Sequence, residues 1–203
     1  MLRGVDLWKG FNGIMALRGV YISLYTGINC IKGPNGAGKT TLLKVLALLE
    51  RPDRGSVVAF GEPIDASNWD RAGRLRGLVT YVPQTPEVFA VPVKSLLALC
   101  GRKKEALKWV EYFGLAGVLD KNAASLSPGM RRRLQLALAF TCVKRALLLD
   151  EPEAYLDGEG RDLLASALRE AEGLVVGYVS HEGPLVPCNR TYIMENGIII
   201  NGE

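Results

Sequence analysis

Residues 33–40 read GPNGAGKT and lie between a short apolar run and a longer apolar segment. The octapeptide fits the pattern G-x-x-x-x-G-K-[ST], in which glycines allow backbone N–H groups to surround phosphate oxygens. Residues 28–32 before it predict a strand, and residues 39–50 (KTTLLKVLALLE) after it predict a buried helix. The sequence therefore predicts a phosphate-binding loop between a strand and a helix.

The residue types in this loop predict a nucleoside triphosphate with magnesium as the ligand. Lys39 supplies a full positive charge to the β- and γ-phosphates, and the hydroxyl of Thr40 is placed to bind magnesium. The N-terminus of the following helix adds positive potential at the same point. We expect the nucleoside triphosphate to contact Gly33, Pro34, Asn35, Gly36, Ala37, Gly38, Lys39, Thr40 and Thr41.

Composition indicates an ordinary globular protein. The chain has 203 residues, of which 48% are hydrophobic and 23% charged, and a net charge of +4, which gives no indication of nucleic-acid binding. No apolar run is long enough to span a membrane, and no secretory signal is evident, so we expect a protein that stays inside the cell. The cysteines show no metal-binding or redox spacing, and we expect reduced thiols at Cys30, Cys100, Cys142 and Cys188.

Strand and helix patterns alternate along the rest of the chain. Strands are predicted at residues 56–60, 78–82, 146–149 and 174–180, and helices at residues 105–113, 130–140 and near 161–172. This alternation favours parallel strand pairing with helices on both faces of the sheet. Because no repeat or long linker divides the chain, we treat residues 1–203 as a single domain.

Two acidic residues and a histidine follow predicted strands. Asp150 ends a buried strand and is expected to hold magnesium, while Glu151 is expected to act as general base for the attacking water. Successive strand residues point to opposite sides, so the Glu151 side chain would leave the strand opposite Asp150. The only histidine, His181, follows the strand at 174–180, and we predict that it contacts the γ-phosphate. A purely structural histidine is the alternative.

Further motifs occur in a fixed order around these residues. Residues 81–84 (YVPQ) and 126–130 (LSPGM) lie between the glycine loop and the acidic pair, and residues 154–157 (AYLD) and 180–181 (SH) follow the pair. With GPNGAGKT and ALLLDE, this series resembles the ATP-binding cassette (ABC) ATPases. In that family the motifs are, in order, Walker A, the Q-loop, the signature motif, Walker B, the D-loop and the switch histidine. The resemblance covers nearly the whole chain.

The resemblance implies an α/β fold of the P-loop NTPase type. We expect a mostly parallel sheet, an N-terminal antiparallel β layer and a small helical subdomain at approximately residues 86–140. It also implies that two cassettes close head to tail, so that each ATP lies between one P-loop and the other subunit's signature motif.

The same resemblance assigns roles at that shared site. Gln84 would sense magnesium and the attacking water, Ser127 and Gly129 would contact the partner's γ-phosphate, and Asp157 would touch the opposite site. The catalytic residues would be Glu151, His181 and Gln84, and the magnesium ligands Thr40, Gln84 and Asp150.

An aromatic residue precedes the glycine loop about where the family places one that stacks on adenine. Phe11 occupies that position, and base stacking is worth ~1–3 kcal/mol by analogy with single-stranded nucleic acids. Packing in the core is the competing role for Phe11, and Trp8 is the alternative adenine contact.

The signature motif departs from its usual form, LSGGQ. Pro128 stands where glycine is usual and Met130 where glutamine is usual, so Pro128 offers no N–H to a phosphate. Ser127 and Pro128 also predict a helix N-cap followed by proline at the first helical position, which would still aim Ser127 and Gly129 at a phosphate. An ordinary capped helix is the alternative. Met130 followed by basic residues is similar to export-type cassettes.

The arginine run 131–133 follows on the same helix. We interpret it as a solvated face or a subunit contact rather than a nucleic-acid site.

These observations predict an ATP-hydrolysing subunit of a membrane transporter. We expect it in the cytoplasm, as a peripheral protein on the cytoplasmic face of the membrane. Its partners would be a separate transmembrane subunit, docked around residues 84–94, and a second ABC subunit in a homodimer or heterodimer. A non-transport cassette, for instance in iron–sulfur cluster assembly, is the alternative. A regulatory module without turnover is a third possibility, which the presence of Glu151 opposes.

Overall fold

The structure, a computed structural model, describes residues 1–98, 101–171, 173–181 and 183–202. The strands are β1 (Leu2–Phe11), β2 (Ile14–Leu24), β3 (Gly27–Lys32), β4 (Arg54–Ala59), β5 (Glu62–Asp65), β6 (Val79–Val82), β7 (Ala146–Asp150), β8 (Val175–Val179), β9 (Arg190–Glu195) and β10 (Ile198–Gly202). The helices are α1 (Lys39–Leu46), α2 (Ala72–Arg76), α3 (Val93–Leu97), α4 (Lys103–Tyr112), α5 (Pro128–Cys142) and α6 (Gly158–Arg169). Glu172, at the end of the predicted helix near 161–172, lies outside the described residues.

Two sheets form the frame of the molecule. The larger has the order β10-β9-β3-β8-β7-β6, and its pairs are parallel except for the antiparallel pair of β9 and β10. The smaller is an antiparallel layer of order β2-β1-β4-β5 that contains the N-terminal strands. Both layers match the fold class expected from the sequence.

The central strands are buried on both faces. Along β7, Leu147 and Leu149 belong to one apolar cluster and Ala146 and Leu148 to another, as expected for alternating side chains. The first cluster includes residues of α3 to α6, and the second lies between the two sheets around α1. Helix α1 contacts strands of both sheets, so the helix that follows the glycine loop lies in the centre of the fold.

Helix α1 ends earlier than the apolar pattern predicts. It stops at Leu46, because Leu48 adopts a left-handed φ of 59° and the N–H of Leu49 bonds the carbonyl of Lys44 at 2.9 Å. This arrangement satisfies a carbonyl at the helix end, so the apolar residues beyond Leu46 pack as a turn.

The expectation of reduced thiols is wrong for Cys30, Cys142 and Cys188, because each of them is disulfide-bonded and none of the described cysteines is free. Cys30 and Cys188 form a disulfide although 158 residues separate them. Strand β3 pairs in parallel with β9, so Cys30 lies opposite Thr191, beside the segment that carries Cys188. The pairing depends on this strand order, which cysteine spacing does not report. Cys100 lies outside the described residues.

No helix in the described part of the chain is long and apolar enough to cross a membrane.

Candidate functional site

Four loops meet at one edge of the larger sheet. The glycine loop follows β3, Gln84 follows β6, Glu151 follows β7 and His181 follows β8. These strands run parallel, so their carboxyl ends lie together, which is where ligands bind in open α/β sheets. The topology thus brings sequence-distant motifs to one place.

The glycine loop is closely surrounded by backbone. Gly38 has a φ of 99°, and a Cβ there would collide with the carbonyl oxygen of Ala16 on β2. A Cβ on Gly33 would collide with the carbonyl oxygen of Met194 on β9. Only glycine fits both positions, and the loop is therefore fixed between its neighbouring strands.

Lys39 points back over this loop. Its ammonium donates hydrogen bonds to the carbonyls of Gly33 at 2.7 Å and Pro34 at 2.8 Å. The residue is only 6% exposed, and burial lowers the pKa of Lys39, an effect that the nearby charges of Glu151 and Asp150 partly offset. A cation held in this position is preorganised for a polyphosphate.

A cavity of about 510 Å³ opens in front of the loop. Its described lining residues are Ala16, Asn35, Gly36, Ala37, Gly38, Lys39, Thr40, Thr41, Gln84, Glu151 and His181. Of these, Ala16 was not predicted from the sequence, since an alanine in a strand carries no chemical signal. Of the predicted loop contacts, Gly33 and Pro34 do not line the cavity.

Asp150 is buried beside this cavity with one oxygen unpaired. The residue is 1% exposed, and its Oδ2 accepts a hydrogen bond from the Tyr81 hydroxyl at 3.1 Å. Its Oδ1 is buried without a hydrogen-bond partner in the structure. Burial and the neighbouring carboxylate raise the pKa of Tyr81, which keeps its proton on the hydroxyl. An unpaired carboxylate oxygen of this kind suits magnesium, which prefers oxygen ligands.

Glu151 lies just beyond the end of β7 in a turn. Its φ of 48° is left-handed, so the alternation of strand side chains does not set its direction. Its Oε2 accepts a hydrogen bond from Gln84 Nε2 at 2.8 Å, and its Oε1 lies 2.9 Å from His181 Nε2. The three predicted catalytic side chains therefore form one cluster on the cavity wall.

The signature residues lie elsewhere on the surface. Ser127 caps α5 by accepting a hydrogen bond from the N–H of Met130 at 3.3 Å, and Pro128 takes the first helical position, as predicted. A separate cavity of about 170 Å³ is lined by Gly114, Leu115, Ser127, Gly129, Met130, Arg133, Tyr155 and Asp157. It shares no described lining residue with the cavity at the glycine loop.

The two aromatic candidates for adenine differ in their surroundings. Phe11, at the end of β1, is 45% exposed, with the Lys9 ammonium 5.1 Å from its ring centroid. Trp8 donates a hydrogen bond to Asp6 at 2.8 Å, and Arg54 lies over its ring at 6.0 Å. Phe11 thus has an exposed ring surface that an adenine could stack on, whereas the ring of Trp8 already contacts Asp6 and Arg54.

Of the two interpretations of the arginine run at 131–133, a solvated face or a subunit contact, the solvated face is wrong for Arg132 and Arg133, while the subunit contact stays a prediction. Arg132 is fully buried, and the side chain of Arg133 is 13% exposed and pairs with Asp157 at 2.7 Å and Glu159 at 2.8 Å. The helix turns these arginines toward acidic side chains and backbone carbonyls that come from other segments. A sequence pattern shows the charge of such residues but not the acceptors that they meet.

Comparison with known proteins identifies the family. The model of the ABC transporter family matches residues 17–154, more than half of the chain. The chain belongs to the ABC transporter family. This confirms the resemblance inferred from the motifs.

Relatives of this ABC protein are ATP-binding proteins of several systems. A putative ABC transporter ATP-binding protein of Gloeobacter violaceus is 35% identical over 93% of this chain and 82% of its own length. The lipopolysaccharide export system ATP-binding protein of Acidithiobacillus ferridurans is 31% identical over 98% of this chain and 88% of its own length. The aliphatic sulfonates import ATP-binding protein of Agrobacterium fabrum is 33% identical over 97% of this chain and 76% of its own length.

Solved structures share the fold. A dimeric ATP-binding cassette in a post-hydrolysis state, bound to ADP and Pi, superposes with a TM-score of 0.87 at 21% identity. The match covers 100% of this chain and 98% of that one. The α/β cassette fold predicted from the sequence is thereby confirmed.

Proposed function

We propose that this chain hydrolyses ATP as the motor subunit of a membrane transporter, with two cassettes closing head to tail around the nucleotides. The observation that carries this proposal is the separation of the two predicted phosphate-contacting surfaces. The P-loop cavity and the signature cavity share no described lining residue on one chain, and a second cassette placed head to tail would bring its Ser127 and Gly129 to the ATP. Two copies of this chain supply both halves.

The chain's own residues account for binding and proton transfer. Lys39 and the loop N–H groups bind the phosphates, and Glu151 takes the proton from the attacking water. The water oxygen bonds to the γ-phosphorus as the bond to the bridging oxygen breaks, which gives ADP and phosphate. Gln84 and His181 hold the carboxylate of Glu151 in place for this transfer.

A magnesium ion fits the same site. Thr40 and Asp150 would hold it, with Gln84 nearby, and the unpaired Oδ1 of Asp150 supports this assignment. When bound, the ion supplies a positive charge that neutralises the phosphate oxygens.

A groove beside Gln84 supports coupling to a membrane subunit on the cytoplasmic face. Its volume is about 620 Å³, and Tyr81, Pro83, Glu87, Phe89, Arg131, Leu134, Gln135 and Leu138 are among its lining residues. Apolar side chains beside it are exposed, among them Val88 at 57% and Val91 at 40%. An apolar groove next to a catalytic side chain suits a helix of a partner protein. We propose that residues 86–140, which contribute part of the wall of this groove, form one helical subdomain.

Substitution of the proposed base tests hydrolysis. In Glu151→Gln, ATP affinity should be retained while phosphate release falls by ~10²- to 10⁴-fold, because the amide cannot accept the proton. Glu111→Gln, an exposed glutamate on α4, is the matched control and should hydrolyse at the wild-type rate. Unchanged turnover in Glu151→Gln would remove Glu151 as the base.

Capture of the partner tests the transport role. Tagged Glu151→Gln, held with ATP and magnesium in the native host, should recover a hydrophobic protein with several membrane spans from detergent extracts. Phe89→Asp, which places a charge in the groove, should lose this partner while binding ATP normally. Recovery of only water-soluble proteins, unaffected by Phe89→Asp, would favour a cassette outside transport.

A further inference from the structure

Arg132 is the largest side chain that the structure buries completely among the described residues. Its guanidinium has five N–H donors, and five acceptors surround it. Nε donates to Pro152 O at 3.0 Å, and Nη1 donates to Pro83 O at 2.6 Å and to Gln135 Oε1 at 2.7 Å. Nη2 donates to Asp150 O at 3.4 Å and to Glu151 O. Every donor therefore has a partner.

These acceptors belong to segments that carry different parts of the site. Pro83 directly precedes Gln84, and Asp150 and Glu151 are the acidic pair. Arg132 itself lies on α5, which Ser127 caps and whose first turn carries Gly129. A single planar group thus joins the Q-loop, the end of β7 and the signature helix.

The guanidinium stays charged in its buried position. Burial lowers the pKa of Arg132 to about 10, and the carboxylate of Glu153 and its neighbours oppose that shift. Glu153 is 4% exposed and accepts hydrogen bonds from the hydroxyls of Tyr178, at 2.9 Å, and Ser180. A buried charge is costly unless its hydrogen bonds are satisfied, so the geometry around Arg132 is tightly constrained.

Arg132 also contacts the strained backbone of Glu151. The left-handed φ of 48° at Glu151 is uncommon for a residue with a side chain, and Nη2 of Arg132 binds the carbonyl of that same residue. On the other side of the guanidinium, Nη1 binds both Gln135 and Pro83, and both residues line the groove proposed for the membrane subunit.

We propose that Arg132 is a positioning residue that holds Gln84 and Glu151 in the relative position that hydrolysis requires. Through Gln135 and Pro83, it transmits occupancy of the groove to the carboxylate of Glu151. The proposal rests on the function proposed above. Arg132 affects the orientation of the base Glu151. It does not affect the affinity for ATP, which the glycine loop binds.

Kinetics of two substitutions test this role against a purely structural one. Arg132→Met should lower kcat by ~10²-fold, the effect of a misplacement of about 1 Å, with ATP affinity changed by less than threefold. Arg132→Lys keeps the charge but offers three donors instead of five, and its kcat should fall less. Leu136→Ala, a fully buried core residue of the same helix, is the matched control. It should lower stability and leave kcat within threefold at temperatures well below unfolding.

A double-mutant comparison keeps the test decisive if Arg132→Met does not fold. In a Gln84→Ala background, Arg132→Lys should have a much smaller effect on kcat than in the wild type, because both substitutions displace the same carboxylate. Gln135→Leu removes one acceptor of Arg132 Nη1 and should lower kcat several-fold, a larger loss than that of Leu136→Ala, at temperatures where both variants are folded.

The outcomes separate the two proposals. Additive effects of Gln84→Ala and Arg132→Lys, or an Arg132→Lys variant with wild-type kcat, would overturn the positioning role while hydrolysis by the wild type stands. A wild-type protein that binds ATP without hydrolysing it would overturn the proposed function itself.

Discussion

Gln84 donates a hydrogen bond to Glu151 Oε2 across 2.8 Å, although 67 residues separate the two in sequence. His181 lies at the other carboxylate oxygen, 2.9 Å away. The proposed base is therefore held from two neighbouring strand ends, and its position depends on both loops. Because Gln84 also adjoins the apolar groove, this contact connects the hydrolytic site to the surface where a partner would dock.

The adenine contact is tested by comparing two aromatic residues. Phe11→Ala should weaken ATP binding by ~1–3 kcal/mol, since a stacking surface is lost, while thermal stability stays near the wild-type value. Trp8→Ala is the control and should lower stability, because Trp8 is bound within the protein. Titration with ATP and with tripolyphosphate measures the effect. An equal loss of affinity for both ligands in Phe11→Ala would exclude base stacking.

Removal of magnesium should have the same consequence as removal of the Asp150 charge. We expect ATP affinity of the wild type to fall when magnesium is chelated, and Asp150→Asn to abolish this difference. Tyr81→Phe, which removes only the hydrogen bond to Oδ2, should keep most of the magnesium dependence. A full magnesium effect in Asp150→Asn would show that another group holds the ion.

Protonation of Lys39 should be linked to ATP binding. Burial lowers the pKa of this ammonium, and a bound triphosphate favours the charged form and raises the pKa again. Affinity is therefore highest below the pKa of Lys39 in the free protein and falls as the pH rises through it, where binding takes up a proton. Calorimetry in buffers of different ionisation enthalpy measures this uptake.

Lys39→Arg is the control for proton uptake, because arginine stays charged throughout this range. Uptake by Lys39→Arg equal to that of the wild type would assign the proton to another group.

The disulfide between Cys30 and Cys188 should contribute to stability. Replacement of both Cys30 and Cys188 by alanine should lower the free energy of unfolding by ~2–5 kcal/mol, because the bond closes a long loop in the unfolded chain. Denaturant unfolding measures the change, and peptide mapping without reductant identifies the cross-linked pair. A free thiol at Cys30 in the folded wild type would contradict the pairing.

Much of the site follows from local sequence. The glycine loop, the acidic pair and the single histidine each end a strand whose apolar run is visible in the sequence, and parallel pairing places those ends together. The Ser127 cap was equally predictable, since it depends only on the residues beside it.

Features that depend on distant segments could not be predicted in this way. The burial of Arg132 depends on carbonyls of Pro83 and Pro152, and the disulfide depends on the position of β9 beside β3. A charged residue in a helix pattern indicates a solvated face unless the acceptors from other segments are known. The hydrogen bond of Tyr81 was not predicted for the same reason, because its partner Asp150 lies on the neighbouring strand.

The central claim, a site shared between two cassettes, is tested most directly by mixing two inactive variants. Lys39→Ala disables the P-loop and Ser127→Arg blocks the signature cavity, so neither variant should hydrolyse ATP alone. In an equal mixture, half of the dimers carry one intact site, and phosphate release should recover to about a quarter of the wild-type rate. Hydrolysis by Ser127→Arg alone, or a mixture that stays inactive while the wild type is active, would contradict the shared site.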